Sequence, residues 1–577
     1  ALTLIRRLVG RPRHVAVHPG GIVIDWRPLD QVLPLELAPK GVVITQYDLV
    51  AVGKLGLVKI DLLGNRCLSE IEEALTLAGW MGPLRLEAIP AEDPPTLKMI
   101  GRAQTIGCFQ LESPAMRSLL ARLPIRQQSD LIAALALIRP GAAAGEVKNT
   151  FVRLARGEEK GAMPFPVLAD RLHETHGLLI YEEDIMVLLA RTGGITLGEA
   201  DELRRGIVKS GGDQLALSSL QARFLKCAGS SFPKDNRALA RARRAWSVAA
   251  RFAAYSFNKA HAASYALLAY CSAYLKAHHP VEFGCALLNH HQGLYPLRTE
   301  VAELARMGVK LLGPQVNESV YRSQCVVADT AAGKVVRVGL DKVRHLSRRA
   351  ALQMIEAREK GGPFLSLGDL VQRVRLAVNE VAALVLSGAC DGIPPLDGAA
   401  YPFVHEAAVE RLRQKADAGD LDGLRVVPPQ PATGEDAERM RLYQALVRVR
   451  NELGYLEMHV SAHPMALLRG EASRYSCLSI EEATRSPGES TVRIAAIVAA
   501  MRRVLTRQGP MQFITLEDET GVLEAVVFPV VYRRIGERVT TPGPFLVVGK
   551  LKVQEGAEHL EVGRLEPFHD RKRRGSS

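Results

Sequence analysis

The chain has 577 residues, of which 47% are hydrophobic and 24% charged, as in soluble proteins of several globular domains. No apolar stretch approaches the roughly 18 residues of a membrane span, and the opening ALTLIRRLVG is too short and too basic for a secretory signal. The eight cysteines form no C-x-x-C pair, which argues against a zinc site or a disulfide scaffold and favours a reducing cytoplasm. A net charge of +12 favours a polyanionic partner, because binding to phosphates releases condensed counterions.

In chain order, the apolar pattern changes its period several times. Residues 1–75 hold short apolar runs between turn residues, which predict part of a mixed sheet. From about 76 to 310 the spacing is helical. Residues 311–392 contain one short strand-like stretch, KVVRVGL, followed by helices rich in Arg and Ala. Proline and glycine then accumulate over 393–436, which is typical of an exposed connector.

The C-terminal region predicts a small β-barrel. After a helix near 437–453, residues 491–567 alternate with period two and contain five short strands, which suits a closed barrel of the OB type. One face of the first strand would carry Val492, Ile494, Ala496 and Val498. The ending RKRRGSS is a basic tail.

The stretch GLVKIDLLG, residues 56–64, places Lys59 and Asp61 two residues apart, on one face of a strand. The aspartate is a candidate Mg²⁺ ligand and the lysine a candidate phosphate contact. An aspartate at a strand end is also often a helix cap or turn former, and the residues alone leave both interpretations open.

The stretch TLGEADELRRGIVKS, residues 196–210, begins with a capping box formed by Thr196 and Glu199 and therefore predicts a helix. Its expected buried stripe is Leu197, Ala200, Leu203 and Ile207. Arg205 and Lys209 point away from this stripe, and Arg204 lies at its margin. Such cations suit a triphosphate or a nucleic-acid backbone, and equally a solvated helix face.

In YSFNKAHAASYALLAY the polar residues Asn258, Lys259 and His261 stand at the predicted start of a helix, where backbone N–H groups favour an anion. A capped structural helix is the alternative. Arg139 in LIRPG either lies in a cleft or simply precedes a helix stop. His14 and His18 are four residues apart, and no carboxylate lies close to them in the sequence.

Two further segments suggest DNA contacts. Residues 338–355 have the layout of a helix-hairpin-helix, with Arg344 and Arg348 as candidate contacts, although His345 and Ser347 stand where glycines are expected. The predicted barrel combines basic and aromatic residues suited to single-stranded nucleic acid, unless the aromatics form its core. These residues are Arg502, Arg503, Lys550, Lys552 and Phe513, with Arg493, Arg507 and Phe528 beside them.

Taken in order, these segments resemble the alpha subunit of bacterial DNA polymerase III, a C-family DNA polymerase. The matching stretches are PRHVAVHPGGIVI, GLVKIDLLG, TIGCFQLESPAM, LIRPG, HGLLIYEEDIM, GEADELRRGIVK, FNKAHAASYALLAYCSAYLKAHHPVEF and LEDETG. The resemblance implies a multidomain α+β fold: a partial C-family polymerase palm, large helical fingers, a helix-hairpin-helix-containing domain and a C-terminal OB-type barrel.

The resemblance also implies domain bounds. They are the end of a thumb helix at 1–16, the C-terminal part of the palm at 17–75, fingers at 76–310, a helix-hairpin-helix-containing domain of the clamp-binding type at 311–415, a linker with helices at 416–490, the OB fold at 491–567 and the tail at 568–577.

By the family's motifs, Asp61 matches a catalytic, metal-binding carboxylate and Lys59 a triphosphate contact. Arg204 and Arg205 match finger arginines that hold the phosphates of the incoming nucleotide. Asn258, Lys259 and His261 lie in the family's FNK-x-H stretch near the active site. The implied chemistry is nucleotidyl transfer from dNTPs to a primer 3′-hydroxyl with Mg²⁺. The implied partners are primer-template DNA, single-stranded DNA at the barrel and a sliding clamp.

Three features depart from the family's pattern. The Asp-x-Asp pair of an earlier palm strand and the N-terminal histidine-rich domain have no counterpart here, so we expect this chain alone not to polymerise. No clamp-binding peptide and no domain beyond the barrel are found, which leans towards an error-prone, translesion polymerase. A DNA-binding subunit without catalysis is the alternative of another class.

Overall fold

A computed structural model describes residues 7–11, 16–80, 86–138, 142–161, 165–252, 256–291, 293–327, 333–393, 435–535, 539, 541–554 and 557–568. The chain forms two compact units, Ala1–Ser69 and Glu70–Ser577, which are described separately. Arg139, His14, most of the 393–436 connector and the basic tail lie outside the described residues.

The first unit contains two small antiparallel strand pairs and a short helix. The elements are β1 (Gly21–Ile24), β2 (Leu35–Leu37), β3 (Val43–Thr45), α1 (Leu49–Lys54) and β4 (Val58–Asp61). β1 pairs with β4 and β2 with β3, so the predicted strands are present. The mixed sheet expected over 1–75 is wrong for the described residues, where both pairs are antiparallel and separate.

A long helical region, as the 3.6-residue spacing predicts, begins at the end of the first unit and continues into the second. Its helices are α2 (Arg66–Leu77), α3 (Pro94–Gly101), α4 (Pro114–Leu120), α5 (Asp130–Leu137), α6 (Ala142–Ala155), α7 (Ala169–Leu172), α8 (Glu182–Gly193), α9 (Leu197–Lys209), α10 (Gln214–Ser231), α11 (Ala238–Phe252), α12 (Lys259–His278), α13 (Pro280–His290) and α14 (Leu297–Arg306). The helical pattern starts at Arg66, ten residues before the expected position, because the Asn65 side chain accepts a hydrogen bond from the Cys67 N–H and caps α2.

Helices α8 to α11 share one core, in which Ile185, Leu203, Phe224 and Trp246 are buried. The capping box of Thr196 and Glu199 starts α9 as predicted. Leu197 was wrongly placed in the buried stripe of α9. It is 57% exposed, because the first helical residue lies beyond the edge of the packed face.

Residues 311–393 contain three strands rather than the single one expected. They are β5 (Leu311–Leu312), β6 (Gln324–Val327) and β7 (Lys334–Arg337), with β7 in the centre of the sheet. Two residues and four residues are too few to give a clear period in the sequence, so β5 and β6 escape pattern analysis. The helices α15 (Arg348–Gly361), α16 (Leu367–Arg373) and α17 (Val378–Ser387) follow.

The C-terminal region forms a closed five-stranded barrel, consistent with the OB type. After α18 (Glu435–Leu456), α19 (Pro464–Arg474) and α20 (Ile480–Thr484), the chain forms β8 (Thr491–Thr506), β9 (Gly509–Glu517), β10 (Val522–Val527), α21 (Pro529–Ile535), β11 (Phe545–Gln554) and β12 (Ala557–Pro567). The strand order around the barrel is β10-β12-β11-β8-β9. The four predicted inward residues of β8, Val492, Ile494, Ala496 and Val498, all lie in the barrel core.

Hydrogen bonds from α14 connect the barrel to the helical region of the same unit. The Arg298 guanidinium donates to the Val498 carbonyl at 2.9 Å, and Arg306 donates to the Asp518 carbonyl at 3.4 Å. Among the described residues, no helix is long and apolar enough to cross a bilayer.

Candidate nucleotide and DNA sites

In the first unit, β4 carries Lys59 and Asp61 on one face, as the period of two requires. The Lys59 ammonium donates to the Asp61 carboxylate, and His18 Nδ1 lies 3.8 Å from the same oxygen. The hydrogen bond from Lys59, helped by the charges of Lys59 and His18, lowers the pKa of Asp61 below its usual value. The carboxylate is about half exposed, at 47%, and is therefore accessible to a ligand.

The donor set around Asp61 supplies one carboxylate, one ammonium and one imidazole. Two neighbouring divalent ions need several shared carboxylates, and no group of three or more metal-ligating side chains occurs in the part of the chain that the structure describes. Asp61 fits as one ligand of a Mg²⁺ ion, and the described residues do not complete a site. The sequence had shown no carboxylate beside His18, whereas the β1–β4 pairing brings Asp61 to it.

In the second unit, the first turn of α8 carries three consecutive carboxylates, each bound to a different element. Glu182 lies 3.4 Å from Arg204 of α9, and Asp184 lies 3.0 Å from Arg171 of α7. Glu183 accepts from the Lys259 backbone N–H with both oxygens, each at 3.0 Å. Acidic side chains are favourable at a helix N-terminus, and here they also connect the elements that carry the candidate nucleotide contacts.

The arginines of α9 are held by acidic neighbours. Arg204 donates to Asp201 at 2.9 and 3.0 Å and is largely covered, while Arg205 lies 2.5 Å from the same carboxylate and is 61% exposed. Burial acts to raise the pKa of Asp201, but the hydrogen bond from Arg204 and the charges of both arginines outweigh it and lower the pKa. Lys209, at the last position of α9, is exposed.

The N-terminus of α12 carries Asn258, Lys259 and His261. The Asn258 side chain accepts from the His261 N–H at 2.8 Å, which is the predicted cap. His261 is exposed and stacks between Phe257 and Tyr265, with ring centroids 5.4 and 4.1 Å away. The anion expected at this N-terminus is already present within the chain, because Glu183 receives the first N–H group.

Lys259 itself is turned towards a cavity of about 710 Å³ between α5, α6 and the segment 173–181. Its Nζ lies 2.5 Å from Glu174 Oε2 and 5.2 Å from the centroid of the Tyr181 ring. Backbone hydrogen bonds of a β-bridge between Tyr181 and Phe257 join the segment 173–181 to the residues that precede α12. The Lys259 ammonium is therefore already paired with a carboxylate of this chain. A lysine ready to bind a phosphate would instead be unpaired.

The turn before α15 has the backbone geometry that a helix-hairpin-helix glycine would adopt. His345 has φ = +68°, in the left-handed region. Ser347 caps α15 through the Ala350 N–H, so it serves the helix rather than the turn. Arg344 and Arg348 are exposed, with Arg344 3.2 Å from Glu457 and Arg348 above the Tyr321 ring.

The basic and aromatic residues of the barrel fall into two groups, one on β8 and β9 and the other on β11. Phe513 on β9 is 39% exposed and lies opposite Arg502 of β8, so it is not part of the barrel core. Arg503 lies over the Tyr532 ring at 5.3 Å. Lys550 and Lys552 of β11 both bind Glu489, at 2.5 and 2.7 Å.

Sequence reasoning missed the acidic residues of the second-unit site, namely Glu174, Glu182 and Glu183. Glu182 and Glu183 belong to the run YEED at the start of α8, and three successive acids at a helix start were the available signal. Which cations they bind depends on contacts across 76 and 85 positions of sequence, which no local pattern contains.

Comparison with known families matches three segments of the chain. Residues 1–64 match the bacterial DNA polymerase III alpha NTPase domain, 67–229 the bacterial DNA polymerase III alpha subunit finger domain, and 308–396 a helix-hairpin-helix motif. Two of these three segments therefore resemble domains of the bacterial DNA polymerase III alpha subunit. The resemblance inferred from the sequence motifs is confirmed.

Relatives in this family align along nearly the whole chain. An error-prone DNA polymerase of Anaeromyxobacter sp. (strain K) is 36% identical over 588 residues, covering 98% of this chain and 50% of the relative. A DNA polymerase III subunit alpha of Thermus aquaticus is 35% identical over 576 residues, covering 96% and 45%. An error-prone DNA polymerase of Symbiobacterium thermophilum is 33% identical over 602 residues, covering 97% and 54%. The chain thus spans about half the length of the curated relatives it matches.

Proposed function

We propose that the protein is a DNA-directed DNA polymerase of the cytoplasm, which transfers nucleotides from dNTPs to a primer 3′-hydroxyl. The observation that carries the proposal is the alignment of 96–98% of this chain with proteins named DNA polymerase III subunit alpha or error-prone DNA polymerase. The solvent-accessible Asp61–Lys59 pair on β4 supports it, because a partly exposed carboxylate beside an ammonium suits metal and phosphate chemistry.

For the first unit, we propose that Asp61 is a catalytic metal ligand and Lys59 a triphosphate contact. Mg²⁺, when bound, would neutralise phosphate charge and activate a hydroxyl nucleophile. On ligand binding, Lys59 would exchange its carboxylate partner for a phosphate oxygen, which requires only a small movement of a flexible side chain. The domain proposal for this unit is the C-terminal part of a palm, residues 17–75.

For the second unit, we propose that residues 76–310 are fingers and that Arg204, Arg205 and Lys209 contact nucleotide phosphates. Arg205 and Lys209 are exposed and one turn apart, so they can approach one phosphate chain together. Asn258 and His261 are proposed nucleotide contacts at the start of α12, since both side chains are exposed. Arg139 remains a proposal from the sequence alone.

DNA is the proposed polymeric partner at two further surfaces. The helix-hairpin-helix region would bind duplex phosphates through Arg344 and Arg348. Arg502, Arg503 and Phe513 of the barrel would bind single-stranded DNA by charge and stacking, and Lys550 and Lys552 would add charge. A sliding clamp is a further proposed partner.

Translesion synthesis is the second candidate within this class. Several of the similar proteins are named error-prone DNA polymerase, with 30–36% identity, and their range overlaps that of the replicative relatives at 30 and 35%. Primer extension past an abasic template position, compared with an undamaged template, separates the two activities.

The proposal is tested by Asp61→Asn in the protein expressed from its complete gene. We expect primer extension to fall by about 100-fold or more, since a metal ligand is lost, with DNA affinity unchanged or higher because negative charge is removed. The matched control is Asp25→Asn, at the end of the paired strand β1, where Arg27 holds the carboxylate. Its activity should stay within about threefold of wild type. An Asp61→Asn protein as active as the control would show that Asp61 is not a catalytic metal ligand.

A further inference from the structure

The charge of this chain is concentrated in one helical hairpin. Residues 214–252, comprising α10, α11 and their connection, contain eight Lys and Arg and one acidic residue, Asp235. This basic hairpin therefore carries +7 of the chain's net +12 in 39 of its 577 residues. A composition of this kind exceeds what solubility alone requires and marks a surface for a polyanion.

All eight cations are exposed: Arg223, Lys226, Lys234, Arg237, Arg241, Arg243, Arg244 and Arg251. Arg223 lies 3.5 Å from Glu202, and Arg241 pairs with Asp235. Within the described part of the chain, the side chains of the other six form no ion pair with a carboxylate, although the Arg237 backbone N–H donates to Asp235 at 2.9 Å. They therefore differ from the arginines of α9, which are neutralised by Asp201.

Three cations of α11, together with Arg237 immediately before it, follow the helix geometry. Arg237, Arg241, Arg244 and Arg251 have the i, i+4, i+7 and i+14 spacing of one helix face, which extends over about 21 Å at 1.5 Å per residue. The buried side of the helix is formed by small residues and Trp246. A charged row of this length matches several consecutive phosphates of one strand, which lie about 3.4 Å apart along the axis of B-DNA.

Two of these arginines are preorganised by aromatic rings. The Arg244 guanidinium lies 5.4 Å from the centroid of Phe165, and that of Arg251 lies 4.9 Å from the centroid of Phe252. Stacking on a ring restricts the side chain and leaves the N–H edge of the guanidinium for hydrogen bonds to phosphate.

We propose that the basic hairpin binds the sugar-phosphate backbone of duplex DNA. Single-stranded binding uses exposed aromatic platforms, whereas Phe224 and Trp246 of the hairpin are buried, at 0% and 4% exposure, and Phe232 and Phe252 are half-buried. The surface therefore offers mainly charge, and the duplex has the higher charge density. The inference rests on the proposed function only in naming DNA as the polyanion.

The test measures binding of this chain to a fluorescent 20-base-pair duplex by anisotropy, in EDTA and over a range of salt concentrations. The variant combines Lys234→Gln, Arg237→Gln and Arg243→Gln, three exposed residues whose side chains form no ion pair or aromatic contact within the described part of the chain. We expect its Kd to rise about tenfold near 0.1 M salt, and the slope of log K against log salt to become less negative by up to about 2.7.

A matched control also removes three positive charges, but from residues that already form ion pairs with carboxylates. It combines Arg153→Gln, Lys360→Gln and Arg485→Gln, whose partners are Glu159, Glu356 and Glu481. We expect its Kd to stay within twofold of wild type. If the first variant fails to fold by circular dichroism, Lys226→Gln with Arg251→Gln replaces it, with an expected slope change of up to about 1.8.

Equal losses in the variant and the control would overturn the inference in favour of net charge alone, and so would unchanged duplex binding. Stronger competition by polyglutamate than by unlabelled duplex would also overturn it, in favour of an acidic protein partner. Because binding is measured without divalent ions, failure of the Asp61→Asn test would leave these outcomes unaffected, and the two proposals fail separately.

Discussion

Lys259 Nζ lies 2.5 Å from Glu174 Oε2, and its backbone N–H is bound by both oxygens of Glu183. One residue at the start of α12 therefore binds two carboxylates from the segment 174–183, and its ammonium also faces the Tyr181 ring. Lys259 is thus placed to orient its exposed neighbours Asn258 and His261. A phosphate contact by the same ammonium would first require separation from Glu174.

Exchanging the charges distinguishes these two roles of Lys259. We expect Lys259→Glu and Glu174→Lys each to lower the free energy of unfolding by about 1 kcal/mol, because both lose a half-exposed ion pair and Lys259→Glu also loses the cation–π contact. The double variant should recover about half of the summed loss, since the ion pair is restored with reversed charges and the ring contact is not. Thermal unfolding of the four proteins gives the coupling energy.

The KM for dNTPs in the protein expressed from its complete gene is the second measurement. If Lys259 orients its neighbours, the double variant should recover KM to within about threefold of wild type. A double variant that regains stability but keeps the raised KM of Lys259→Glu would show that the ammonium contacts the nucleotide directly.

Local patterns predicted the features of the chain that depend on neighbouring residues. The capping box at Thr196, the cap at Asn258 and the inward face of β8 are all confirmed, because each is determined within four to eight residues of sequence. The strands β5 and β6 were missed because strands this short have no measurable period.

The contacts that define the candidate sites are not local. His18 meets Asp61 only because β1 and β4 pair in one register, with Gly21 opposite Asp61. Glu183 meets Lys259 through a backbone bridge between Tyr181 and Phe257. The sequence marked the cations as candidates, but which carboxylates neutralise them is determined by tertiary structure.

On the barrel surface, an exposed aromatic ring can be compared with a lysine that is already paired with a carboxylate. We expect Phe513→Ala to weaken binding of a 20-nucleotide oligo-dT by about 5- to 30-fold, since base–aromatic stacking contributes about 1–2 kcal/mol. Lys552→Gln should change the Kd by less than threefold, because Glu489 already binds this ammonium at 2.7 and 2.8 Å. Fluorescence anisotropy measures both, and the reverse order would assign the strand to the β11 side of the barrel.

The helix-hairpin-helix turn predicts a stabilising substitution. Because His345 has φ = +68°, His345→Gly should raise the free energy of unfolding by about 0.5–1 kcal/mol through relief of backbone strain. Arg349→Gly, at an exposed position in the first turn of α15, should instead lower it by up to about 1 kcal/mol. Urea denaturation compares the two, and destabilisation by both would mean that the edge contact of His345 with the Tyr455 ring, at 6.2 Å between centroids, contributes more than the backbone strain costs.

The contact between the barrel and α4 predicts a dependence of stability on pH. Glu524 of β10 hydrogen-bonds the Thr515 hydroxyl and lies 3.7 Å from Arg117. Burial raises the pKa of Glu524 to about 7, and Arg117 and Thr515 only partly oppose this. Because the pKa is higher in the folded than in the unfolded chain, the contribution of Glu524 is fully present below about pH 4.5 and is lost as the pH rises through 7.

Glu524→Gln, which is neutral at every pH, should therefore be more stable than wild type at pH 8 by on the order of 1–3 kcal/mol, and the difference should be much smaller at pH 5. Glu489→Gln is the control. The hydrogen bonds from Lys550 and Lys552 lower the pKa of Glu489 to about 2, so between pH 5 and 8 this group is ionised in the folded chain and mostly ionised in the unfolded chain. Its substitution should shift Tm by nearly the same amount at the two pH values in calorimetry. A Glu524→Gln protein less stable than wild type at pH 8 would mean that the ionised carboxylate and Arg117 attract each other more strongly than burial opposes them.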